Sequence, residues 1–313
     1  MNDQDRTDAD DALATLGRHG KSFRFASLLM PKRDAEDAAR LYTVCRHIDD
    51  LADESEPTAR PAALARLARI RRELAGGAAP TDPLAIVLHQ LAERRGVDLE
   101  AADHLVSAMI SDAERPALIE DRAELIRYCY GAAGSVGVMM APLVDAPRHA
   151  QPFAVDLGLA MQMTNIARDI AEDAAMGRRY LPASWVDGLS PERMLAGREE
   201  PKIRAIVSSA MARLLELAEC YYASAAEGIQ AIPGRNRVAI RIAAVVYRQI
   251  GLELAATQHN WWQGRMRIGI AGKLRCTLSD ALGRRGIRPR GVPHDPLLHR
   301  VIADRPGCAA APE

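Results

Sequence analysis

From Asp34 to Arg284, apolar residues recur three and four positions apart over long stretches rich in Ala, Leu, Arg and Glu. That is the period of amphipathic helices. No alternating, β-branched run bounded by hairpin turns stands out. The pattern predicts helices over residues 34–55, 60–75, 83–95, 98–113, 121–141, 149–175, 191–196, 199–230, 234–260 and 264–284. Punctuation falls at their ends. Pro31 precedes the first helix. Asp82-Pro83 and Ser190-Pro191 have the form of an N-cap followed by proline at the first helical position. Gly76-Gly77 and Gly96 read as stops. No repeat of fixed period appears, which excludes a solenoid. The expectation is one all-α domain over residues 15–285, a single-domain helical bundle. An acidic segment, 1–14, is expected to be flexible. A Pro- and Gly-rich tail, 286–313, is expected to be poorly ordered.

With 313 residues and 48% hydrophobic content, the chain can bury a large core. Lys plus Arg equals Asp plus Glu at 41 each, and aromatics make up 4%. That balance offers neither a polyanion-binding charge nor a base-stacking surface, so no nucleic-acid partner is expected. Five cysteines without a CxxC pair fit buried thiols in a reducing compartment. The opening MNDQDRTDADDA is acidic, the reverse of a secretory leader. No apolar run approaches the eighteen or so residues of a membrane span. A cytoplasmic protein is expected, with membrane contact at most peripheral.

CRHIDDLADE packs Asp49, Asp50, Asp53 and Glu54 into six residues of an expected helix. Asp49 and Asp53 are four apart and share a face, where like charges repel. NIARDIAEDAAMGRRYLP repeats the spacing at Asp169 and Asp173. Among 23 aspartates, chance gives roughly two such pairs, so spacing alone is also compatible with two solvated helix faces. The context adds more. Both pairs lie in strongly apolar helices, with Arg46 and Arg168 beside them. Asn165 and Gln162 extend the second pair into a row of oxygen donors. Such a row suits a hard cation. Mg²⁺ takes carboxylate and carbonyl oxygens and completes its shell with water or phosphate. No matching Cys or His set suits zinc. Two such helices face to face would relieve their repulsion through metals and hold a diphosphate.

Five ordered blocks carry a resemblance: HGKSFRFASLLMPK, LYTVCRHIDDLADE, YCYGAAGSVGVMM, QMTNIARDIAEDAAMGRRYLP and YYASAAEGIQAIPGRNRVAIRIAAVVYRQIG. They extend from about His19 to Arg284 and resemble the squalene/phytoene synthases, most of all the bacterial phytoene synthases. The resemblance implies an isoprenoid-synthase helical bundle with a central apolar cavity. It implies head-to-head condensation of two geranylgeranyl diphosphates to phytoene through a cyclopropylcarbinyl diphosphate. Mg²⁺, with Mn²⁺ as a stand-in, would be held by Asp49, Asp53, Asn165, Asp169 and Asp173. Tyr42, Arg46, Gln162 and Arg168 would line the diphosphate pockets, and Lys21 and Ser22 would reach a phosphate. Tyr128 would sit near the reacting carbons and Tyr247 close to substrate. No NADPH is expected for phytoene.

The chain departs from the family's pattern in places. Ala167 replaces a usual bulky aliphatic residue. Residues 258–275 match loosely, so Arg265 as a phosphate contact rests on an open register. Asp112 keeps an acidic position without its usual glycine.

The same chemistry on farnesyl diphosphate, giving squalene, dehydrosqualene or presqualene diphosphate, stays open as an alternative. So does a non-catalytic assembly factor, although both aspartate pairs are intact. A hydrophobic product implies contact with a membrane or a downstream desaturase. The glycines of YCYGAAGSVG allow two readings, close helix packing or a thin wall beside a prenyl chain. GRRYLP reads as a flap over the metal site, with Arg178 and Arg179 near the phosphates, or as a surface turn.

Overall fold

The computed structural model describes residues 27–54, 56, 58–77, 79–263, 269–281 and 286–308. Eleven α-helices are present among the described residues: α1 (Lys32–Ala52), α2 (Arg60–Leu74), α3 (Pro83–Arg95), α4 (Leu99–Glu114), α5 (Arg122–Cys129), α6 (Ser135–Met140), α7 (Gln151–Ala175), α8 (Pro191–Ala196), α9 (Pro201–Ala231), α10 (Gly234–Ala256) and α11 (Ile270–Ala281). The only extended pairing among them is an isolated bridge between Leu118 and Arg179.

Local chemistry explains the boundaries. The Asp82 carboxylate accepts from the Leu84 amide at 3.0 Å, and Pro83 opens α3. Asp121 caps α5 by accepting from the Glu124 amide at 2.8 Å, and Glu124 accepts in return from the Glu120 amide at 2.7 Å. The first bond satisfies an amide that the first helical turn leaves free, and the second ties down the residue before the cap. Gly96 ends α3 at φ 74°, a left-handed backbone that glycine adopts without a Cβ penalty.

α7 is the central helix. It packs against α9, α10 and α6, while α1 packs against α2, α3, α4 and α6. The segment expected as one helix over 121–141 is two helices joined by a π-turn, Tyr130–Gly134. Its glycines show why. A Cβ on Gly137 would lie 2.2 Å from the Ala154 carbonyl oxygen, and one on Gly158 would lie 2.3 Å from that of Ala133. α6 and α7 therefore touch backbone to backbone, which settles the glycine row in favour of close packing. The same segment also forms a cavity wall, so the two sequence readings hold together.

The tail requires a correction. Residues 286–308 are not a loose end but a strap across α4, α6, α7 and α9. The Tyr221 hydroxyl donates to the Leu298 carbonyl at 3.0 Å, and the Tyr130 hydroxyl to the Pro306 carbonyl at 2.9 Å. Ile302, His299 and Cys308 are buried. Composition pointed to disorder because proline, glycine and arginine do not form a periodic apolar face. The strap is held by single side chains and carbonyls instead. Backbone contact at Gly158 leaves no room for a methyl group. Gly158→Ala is expected to cost about 1–3 kcal/mol, read as a lower urea midpoint with an unchanged slope.

Candidate active site

α1, α4, α5, α6, α7, α9 and α10 enclose a cavity of about 580 Å³. α7 runs its full length. Met161, Leu157, Ala154 and Phe153 line one part, and Gln162, Asn165, Asp169 and Asp173 line the other. The positions follow a three- and four-residue stripe along a single helix face. α1 faces the polar part with Tyr42, Arg46, Asp49 and Asp53. Both aspartate pairs therefore open into one space. Tyr128 and Tyr247 line the same cavity, from α5 and α10. The π-turn adds a residue to the α5–α6 register, so Ala132 and Ala133 both face the cavity while Tyr130 turns outward to the strap.

Burial makes these carboxylates poor acids. Burial first, then the Asp169 charge, pushes the Asp173 carboxyl up to about 8. Burial, then Asp53, pushes Asp49 up to about 6, although Arg46 opposes the shift. Arginines occupy part of the negative charge. Arg46 forks to Asp49 at 2.9 Å and to Asp50 at 2.5 Å. Arg178 reaches Asp53 at 2.9 Å. Arg168 grips Asp169 through Nε at 2.7 Å and Nη2 at 2.5 Å. Arg168 is not in the cavity wall; it turns back onto its neighbour. Asn165 Oδ1 is buried and has no hydrogen-bond partner. A row of carboxylates strained by mutual repulsion, with an orphaned carbonyl oxygen among them, is a donor set that a hard cation satisfies.

Lys21, Ser22 and Arg265 lie outside the described residues. Arg178, expected with Arg179 near the phosphates, faces the mouth, and two further residues there were not singled out as site residues from the sequence: Asp112 and Tyr180. The Tyr180 hydroxyl donates to Asp112 at 3.2 Å, and its ring stacks on Tyr128 with centroids 4.6 Å apart. Burial pushes Asp112 up to about 6 against the pull of Arg178. The block GRRYLP carried the available signal, but no periodicity relates it to α4 or α5. GRRYLP is not a plain surface turn. The Arg179 amide donates to the Ala117 carbonyl at 2.7 Å and the Ile119 amide to the Arg179 carbonyl at 3.0 Å. The Arg179 side chain is buried on the Leu189 and Ile119 carbonyls, away from the mouth. This fixed strut presents Arg178 and Tyr180 to the site.

Among the described residues, one set of three His, Cys, Asp or Glu side chains has all its ligand atoms within 4.8 Å of one another: Asp156, His294 and His299. It lies under the strap, not at the mouth. The mouth aspartates are not drawn together to that degree.

The squalene/phytoene synthase family model matches residues 16–271. A phytoene synthase of Pseudescherichia vulneris is 38% identical over 279 residues, covering 85% of this chain and 88% of that protein. A 15-cis-phytoene synthase of Enterobacter agglomerans is 34% identical over 295 residues, covering 88% of this chain and 95% of that protein. The crystal structure of a dehydrosqualene synthase in complex with ligand superposes with a TM-score of 0.76 at 27% identity, covering 90% of this chain and 99% of that one.

The raised carboxyls fix the sign of a pH effect. Asp173 and Asp49 bind a proton more tightly in the folded chain than in the unfolded one. The metal-free protein therefore gains stability as pH falls from above 8, through 6, toward the ordinary carboxylate range. Asp173→Asn is expected to stabilise the metal-free protein at pH 8 by about 0.5 kcal/mol or more and to flatten the upper part of the profile. Saturating Mg²⁺ is expected to flatten it in the unchanged protein. Melting curves from pH 5 to 9, with and without Mg²⁺, check both.

Proposed function

The chain belongs to the squalene/phytoene synthase family, and on that premise we propose that it joins two geranylgeranyl diphosphates head to head to give phytoene. It is thus a prenyltransferase-type enzyme of isoprenoid and carotenoid biosynthesis. One observation carries the assignment of the site. Two aspartate pairs on different helices open into the same end of one cavity whose other end is apolar. A diphosphate headgroup suits the first end and a prenyl chain the second. The preference for the C20 substrate rests on the relatives named phytoene synthase.

Asp49, Asp53, Asn165, Asp169 and Asp173 are the residues proposed to hold Mg²⁺, which supplies Lewis acidity and a template for the leaving diphosphate. Arg46, Arg178 and Gln162 line the same end of the cavity and are proposed to donate to its oxygens. Arg168 holds Asp169 in position rather than meeting phosphate itself. When the first allylic diphosphate ionises, these donors take up the developing negative charge. The carbocation is captured by the double bond of the second substrate, and the carbon that bore the first diphosphate then loses a proton to the released diphosphate, which closes the ring and gives the cyclopropylcarbinyl diphosphate. That intermediate ionises, rearranges and loses a proton to released diphosphate. Tyr128 lies beside the cavity with its ring fixed by Tyr180. Burial raises its phenol well above the ordinary range, so it offers a neutral π face to the cation. Ala132, Val136 and Met161 supply an apolar wall that keeps water from it.

No helix among the described residues is long and apolar enough to cross a membrane. A water-insoluble product nevertheless calls for a membrane surface or a downstream desaturase as its acceptor, and peripheral contact is the reading that joins the two.

The likeness to a dehydrosqualene synthase keeps farnesyl diphosphate as the second reading. Product analysis decides between them. With Mg²⁺, geranylgeranyl diphosphate alone is expected to yield phytoene without NADPH. Hydrocarbon from farnesyl diphosphate only would move the enzyme to the C30 branch. No product from either would support a non-catalytic role. Asp49→Asn is expected to lower turnover by about 10²-fold or more with the fold intact by circular dichroism.

A further inference from the structure

Among the apolar residues that line the cavity with Val144, Ala146, Ala150 and Ile232, one large side chain touches the tail. Phe153, in the first turn of α7, lines the cavity. Its Cβ sits so close to α9 that a Cβ on Gly228 would lie 2.2 Å from it. On that side Phe153 rests on bare backbone and cannot retreat. On another side its ring meets the edge of His294, with centroids 5.2 Å apart at 79°. His294 belongs to the strap, well over a hundred residues away in sequence.

The strap is fastened next to this contact. Asp156, one turn along α7 from Phe153, is fully buried. It accepts from Ser224 at 2.5 Å and lies 3.1 Å from His294 Nε2 and 2.8 Å from His299 Nε2. The two imidazoles lie against each other with centroids 4.4 Å apart. Burial alone would raise Asp156, but the hydrogen bonds from the two histidines outweigh it and hold its carboxyl below the ordinary range. The cluster forms a hydrogen-bonded clasp centred on Asp156. A metal reading fits it less well, because His299 Nδ1 is buried without a partner, whereas a metal-bound histidine donates its other nitrogen.

We infer that the Asp156–His294–His299 clasp positions Phe153 as the floor of the prenyl cavity, so that the strap sets the longest chain the enzyme accepts. Phe153 is the specificity-determining residue and His294 the positioning residue behind it. The inference rests on the prenyl-diphosphate reading of the cavity. It adds the residues that end the cavity and a part for the tail in defining it.

The test compares C15, C20 and C25 prenyl diphosphates as substrates for the full chain with Mg²⁺. Binding is followed separately by the melting-temperature shift each one gives. Phe153→Ala is expected to raise the C25 to C20 ratio of kcat/KM about tenfold or more, with the C25 melting shift rising in parallel. Phe153→Trp is expected to move both toward C15. His294→Ala is expected to change the ratio in the same direction as Phe153→Ala, several-fold. His294→Gln keeps a donor for Asp156 but removes the ring. It is expected to relax the ratio while largely preserving the melting temperature, which a purely structural strap would not do. An unchanged chain-length ratio in Phe153→Ala would overturn the floor assignment. A changed ratio there with unchanged ratios in both His294 variants would overturn the strap's role. Unmodified protein that neither turns over nor is stabilised by any of the three diphosphates would defeat the prenyl-diphosphate reading itself, a result distinct from either.

Discussion

The central physical constraint is the burial of like charges at one end of an apolar cavity. Asp49 and Asp173 are held above the ordinary carboxylate range, and burial comes first among the causes in both cases. Arginines answer part of that charge: Arg46 on α1, Arg168 on α7, and Arg178 on the strut that follows α7. They leave Asn165 Oδ1 unpartnered. A fold that kept this arrangement for stability alone would do better with apolar residues there. Its cost is understandable where cations and a polyanion enter together.

Holding the charges in place requires a stiff frame around an empty centre. The frame is stiff because α6 and α7 meet backbone to backbone at Gly137 and Gly158. It stays open because small residues line the inside. The π-turn reconciles the two demands. One extra residue turns Tyr130 outward to the strap and leaves Tyr128 and both alanines on the cavity side. Tyr128 is then fixed by Tyr180, which the bridged strut delivers. α7 joins everything, with its carboxylates at the C-terminal end and Phe153 and Asp156 in its first two turns.

The sequence was informative wherever the physics is local. Helix boundaries agree with expectation to within a few residues where a cap or a left-handed glycine marks them, as at Asp82, Ser190 and Gly96. They fail at the π-turn, because a π-insertion has no periodicity signal of its own. They fail again at the strap, whose Pro- and Gly-rich composition says nothing of the carbonyls and single histidines that hold it. Five metal-site candidates, together with Tyr42, Arg46, Gln162, Tyr128 and Tyr247, line one cavity. Arg168 does not, because one residue's rotation along α7 turns it away from the cavity.

The sequence by itself determined an all-α chain, two four-spaced aspartate pairs on apolar helices, and the blocks that mark the family. Those features depend on spacing along single helices, which the chain encodes directly. The tertiary structure alone decided that both pairs share one cavity, that Asp112 and Tyr180 join them, and that of Arg178 and Arg179 only the first faces it. It also brought His294 of the tail against Phe153. These contacts connect residues far apart in the chain. No local period records them, because they are fixed by how the helices stack.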